Sequence, residues 1–60
     1  MEAEEYDLLP NFIKSIVNTF DENKDHYSEC KRIVNELNII GWTADYDLSG
    51  TLFDIKKILK

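Results

Sequence analysis

Gly41 divides this chain into two kinds of sequence. Before it, apolar residues recur at three- and four-residue spacings; after it, they alternate with polar ones. Helices bury a stripe of period 3.6 and strands a face of period two, so one element type cannot serve both halves. The pattern predicts an α+β fold: an antiparallel helical hairpin followed by a C-terminal β-hairpin (α-α-β-β), packed in two layers.

The first stripe is Leu9, Phe12, Ile13, Ile16, Val17 and Phe20. Its helix is expected to start at an Asp7 N-cap, with Pro10 tolerated in the first turn. Residues 1–6 read as a frayed acidic lead. Asp21 to Lys24 break the stripe and form a connecting loop. The second stripe is Tyr27, Cys30, Ile33, Val34 and Leu37, on a helix starting at Asn23 to Asp25. Gly41 supplies the positive φ that stops it.

Beyond Gly41, Trp42, Ala44 and Tyr46 alternate on one segment, and Phe53 and Ile55 on the next. Between them Asp47 to Gly50 suits a type I turn with a left-handed, bulged Gly50. The expected register sets Trp42 opposite Ile55, Ala44 opposite Phe53 and Tyr46 opposite Thr51; a two-residue Ser49-Gly50 turn would shift the pairing but keep the same face. A one-residue slip would bring Trp42 opposite Lys56 and lose the common apolar face. A competing pattern makes residues 51–60 a third helix, with Leu52, Ile55 and Leu59 on one side.

Sixty residues make one domain, 1–60, at the lower edge of independent stability. The single cysteine, Cys30, allows no internal disulfide, so the core must hold by packing or by self-association. A net charge of −5 argues against direct nucleic-acid binding, which needs cations against phosphate. Residues 1–7 are acidic with no apolar run behind them, and no stretch approaches the roughly 20 residues of a membrane span. A cytoplasmic protein is the expectation, without a membrane partner.

The stretch from Tyr46 to Asp54, YDLSGTLFD, raises the question of chemistry. It resembles the first motif of the haloacid dehalogenase superfamily, with Asp47 at the nucleophile and Gly50 and Thr51 in the following turn. Ser49 stands where that family carries its acid, and too little chain follows for its parallel sheet. Counted from Asp45, the same stretch resembles an EF-hand loop: Asp45, Asp47 and Ser49 fall on ligand positions and Gly50 on the sharp turn. Lys56 replaces the bidentate Glu, which leaves at most a weak calcium site. His26 and Cys30 lie one helical turn apart and supply half of a zinc site at most. A thiol on a core stripe is inert as a nucleophile. Asp45, Asp47 and Asp54 have no cleft to serve a paired-carboxylate mechanism. The chain reads as non-enzymatic and without a cofactor.

Once Leu9, Phe12, Ile13, Ile16, Phe20, the second stripe and the alternating hairpin residues are assigned to the core, Leu8, Val17, Ile39, Ile40, Leu48, Leu52, Ile58 and Leu59 are left over. A two-stranded hairpin also exposes two edges. The sequence therefore favours a small acidic protein-interaction module that binds a protein partner or a second copy of itself. Its expected interface is Leu48, Leu52, Ile58 and Leu59, giving a homodimer through the hairpin. The first alternative is an acidic decoy that meets a basic, nucleic-acid-binding protein with Asp21, Glu22, Asp25, Glu29 and Glu36. The second is weak calcium binding through Asp45, Asp47 and Ser49.

Overall fold

The computed structural model describes residues 3–58. Three helices precede a two-stranded antiparallel sheet: α1 (Ala3–Asp7), α2 (Asn11–Val17), α3 (His26–Ile39), β1 (Trp42–Tyr46) and β2 (Leu52–Lys57). The fold is α+β, with a helical hairpin leading into a β-hairpin and α3 packed across the sheet, mainly against β1.

The front of the chain departs from the sequence expectation. Glu4 to Asp7 lie in α1, a short helix, where a frayed lead was expected, and Asp7 ends a helix instead of capping one. The cause is Pro10. Its ring disfavours helical backbone at Leu9, so the chain breaks there and restarts. Pro10 itself is the N-cap, extended at φ −58° and ψ 153°, and its carbonyl accepts from Ile13 and Lys14. Ile13 is buried completely, but Phe12, expected in the core, is 56% exposed.

α3 follows its sequence signals closely. Asp25 caps it by accepting from the Ser28 N–H at 2.9 Å. It ends at Gly41, whose φ of +82° supplies the left-handed residue that closes a helix. Cys30, Ile33 and Leu37 are its fully buried face. α2 and α3 run antiparallel: Phe20 meets His26 at one end, and Phe12 lies 6.2 Å edge-on to Trp42 at the other.

One side chain ties the helices together. Arg32 on α3 donates to both carboxylate oxygens of Glu29, at 2.8 and 3.2 Å, and to the Thr19 carbonyl just past α2, at 2.8 Å. Glu29 in turn accepts from the Asp21 N–H at 2.9 Å. The Arg32 hydrogen bonds, reinforced by that N–H, hold the Glu29 carboxyl at about 2, well below its ordinary 4.5. A depressed folded value means that folding favours the ionised group. Its contribution is complete above about 4.5 and disappears as pH falls through about 2. Asp25 and Asp47 are lowered in the same direction, chiefly by hydrogen bonds from Ser28 and Ser49. Thermal melts followed from pH 6 downward should therefore lose stability most steeply below pH 4.5, and Glu29→Gln should flatten that acid limb. An acid limb as steep in Glu29→Gln as in the parent would assign the loss to other groups.

The hairpin keeps its predicted turn but not its predicted register. Gly50 N–H donates to the Asp47 carbonyl at 3.1 Å and Asp47 N–H to the Thr51 carbonyl at 3.2 Å, with Gly50 at φ +84°. That pairs Asp47 with Thr51, so Tyr46 faces Leu52 and Asp45 faces Phe53. This is one residue away from the expected pairing. A bulge between Thr43 and Asp45 then shifts the ladder again, to Thr43–Lys56 and Trp42–Lys57. Asp54, at φ +52°, is the residue that absorbs it. The bulge places Leu52 and Ile55, three residues apart, on the same buried face, at 6% and 8% exposure. Phe53, expected in the core, turns outward at 37%. Residues 52–57 form a strand, which settles the competing helix reading for them.

Among the described residues no helix is long and apolar enough to cross a membrane.

Candidate functional site

The hairpin tip answers the question raised by YDLSGTLFD. The Asp47 Oδ1 accepts from the Ser49 N–H, the Ser49 hydroxyl and the Thr51 N–H at 3.1, 2.6 and 3.0 Å. These bonds tie the turn and keep the carboxyl below its ordinary range. Asp45 lies upstream in β1, exposed and opposite Phe53. The segment that resembles an EF-hand is thus two paired strands and a turn. Among the described residues no three His, Cys, Asp or Glu side chains are grouped as a metal centre requires.

His26 and Cys30 do not converge. His26 is exposed, with its ring Nε2 3.1 Å from the Glu22 carbonyl. Cys30 is fully buried, and burial pushes its thiol pKa up.

The acidic residues are largely occupied by the fold. Glu29 is buried and paired with Arg32; Glu36 reaches the same guanidinium at 3.3 Å. Asp25 caps α3, and the Asp21 carboxylate accepts from the Asn23 N–H. Asp21, Glu22 and Asp25 precede α3 instead of lying along it. The expected stripe is therefore interrupted at its centre by a cation, leaving Glu22 as an exposed carboxylate with no such task.

The four expected interface residues separate. Leu48 stands at the tip, 88% exposed, and Ile58 is 41% exposed. Leu52 belongs to the core, because the turn sets it opposite Tyr46 on the inward face, and it offers no surface to a partner. Leu59 lies outside the described residues. The β2 edge is not a bare row of donors either: the Ile55 N–H donates to Glu5 Oε1 of α1 at 3.2 Å. A strand pairing along that edge would have to displace it.

Two surfaces remain, at opposite ends of the hairpin. At the open end, α2 contributes Phe12, the end of α3 Ile39 and Ile40, β1 Trp42, and the end of β2 Ile58. The Ile58 N–H donates to the Gly41 carbonyl at 2.8 Å, which holds the start of β1 to the end of β2. Sequence reasoning missed Phe12 by assigning it to the core; Trp42, also assigned there, does pack against the core and is half-buried. At the tip, Tyr27, Tyr46, Asp47, Leu48 and Ser49 line an open depression.

Comparison with protein families, with curated proteins and with solved structures returns no match.

Proposed function

We propose that the chain is a non-catalytic interaction module that associates with a second copy of itself through the open end of its C-terminal hairpin. The observation that carries this reading is the exposure of Phe12, Ile40 and Ile58 beside the half-buried Trp42: Phe12 meets its ring edge-on at 6.2 Å, and the Ile58 N–H bonds the carbonyl of Gly41, the residue between Ile40 and Trp42. Large aromatic and aliphatic side chains clustered on a small domain are the composition of an interface centre. A standard interface covers roughly 800 Å² per partner, about a fifth of the 4324 Å² this chain exposes. An end patch is also compatible with a two-fold axis, which brings one patch onto its own copy. It leaves the Glu5 bond on the β2 edge intact.

Sedimentation equilibrium tests this directly. The parent is expected to dimerise, and Ile58→Asp and Ile40→Asp to be monomers with unchanged circular dichroism. A central contact is worth about 2 kcal/mol and counts twice across a two-fold axis, so each variant should weaken the dimer roughly a thousandfold. A parent that stays monomeric on the order of 100 μM, where a dimer of about 5.5 kcal/mol is half formed, ends the proposal.

A further inference from the structure

We propose that the depression at the hairpin tip receives a basic side chain, arginine or lysine, from a partner polypeptide. This site lies away from the open-end patch and stands independently of self-association. Its walls are Tyr27 and Tyr46, whose rings sit 5.3 Å apart at 70°, so that the edge of one meets the face of the other. Aromatic faces attract cations. The chain already uses that property here: the Lys31 ammonium lies 5.5 Å over the Tyr27 ring.

Asp47 supplies the charge on the rim. Its Oδ1 is tied into the turn by Ser49 and Thr51, while Oδ2 accepts from no donor among the described residues. The hydrogen bonds on Oδ1 keep the group ionised. Leu48, 88% exposed, forms an apolar lip beside it. Two aromatic walls, an aliphatic lip and one carboxylate suit a cation carried on an aliphatic stem. A bare metal ion would find too few oxygens, and a purely apolar side chain would have to desolvate Asp47. Lys31 is the opposing charge at the site; exposed Asp45 and the net charge of −5 favour approach of a cation.

The experiment is an amide NMR titration of the full chain with acetyl-Leu-Arg-amide, set against acetyl-Leu-citrulline-amide, which keeps the shape and removes the charge. Saturable shifts are expected at Tyr27, Tyr46, Leu48 and Ser49, with a dissociation constant on the order of millimolar. The citrulline probe should bind at least about tenfold more weakly, and added salt should weaken the arginine probe. Asp47→Asn keeps an oxygen for Ser49 and Thr51 but loses the charge, and should also cost about tenfold. Leu48→Ser, at a site where nothing packs, should weaken binding without disturbing the fold, so the site stays testable if Asp47→Asn loosens the turn. Equal binding of the two probes, shifts centred elsewhere, or no saturation by about 20 mM would overturn the assignment.

Discussion

Gly50→Ala is expected to remove most of the chain's stability. A Cβ at Gly50 would stand 2.3 Å from the His26 Cβ, 2.7 Å from the His26 carbonyl carbon and 2.9 Å from the Tyr27 nitrogen. Two of those three atoms are backbone in the first turn of α3, and no side-chain rotation relieves them. Gly50 is also at φ +84°, where alanine costs about 1–2 kcal/mol before any contact is counted. Overpacking adds roughly 1–3 kcal/mol. A domain of this size holds about 3–5 kcal/mol in all. Chemical denaturation or a thermal melt should show the loss, at roughly 4–8 °C per kcal/mol.

Gly41→Ala separates the two causes. Gly41 has nearly the same φ, +82°, but nothing lies within 4 Å of an added Cβ. It should cost only the conformational part, about 1–2 kcal/mol. Equal losses in the two variants would mean that the tip does not rest on α3. A much larger loss at Gly50 would make the turn in YDLSGTLFD a docking element, fixing the hairpin against the helix that precedes it.

The signals that could be read from the sequence were local ones. A helix start at Asn23 to Asp25, Gly41 as a stop and Asp47 to Gly50 as a turn each depend on backbone needs that a few neighbouring residues reveal. The signals that misled were periodicities that run smoothly across a break. Leu9, Phe12, Ile13 and Ile16 look like one helix, yet the chain breaks at Pro10 and Phe12 stands outside the core. Trp42, Ala44 and Tyr46 alternate as expected, but nothing in the residues of β2 announces that Asp54 would take a positive φ. The Glu29–Arg32 ion pair was not anticipated, because Glu29 was assigned to an acidic face. That the pair also holds Thr19 and Asp21 depends on how α2 and α3 meet, which sequence spacing does not contain. The open-end patch was hidden for the same reason, since its members come from four elements. Leu48 was legible because a lone leucine in a tight turn has no core to enter.

The register that the turn sets carries the second large expectation: Leu52→Lys should unfold the chain, and Phe53→Lys should leave it folded. Leu52 is 6% exposed and packs in the core with Ile13, Cys30, Ile33, Leu37, Ala44 and Ile55. Truncating such a leucine costs about 2–5 kcal/mol, and a lysine adds the cost of a buried, unpaired charge. That sum exceeds what a 60-residue domain has available. Phe53 stands opposite Asp45 on the outer face. A lysine there gives up a partly exposed ring but gains an opposite-charge cross-strand pair, worth about 0.2–1 kcal/mol. The net change should stay within about 1 kcal/mol. Strict alternation predicts the reverse order, because it puts Phe53 inside and Leu52 outside. Melting curves of the two variants therefore decide which register the turn sets: an unfolded Phe53→Lys beside a folded Leu52→Lys would return Phe53 to the core and Leu52 to the surface.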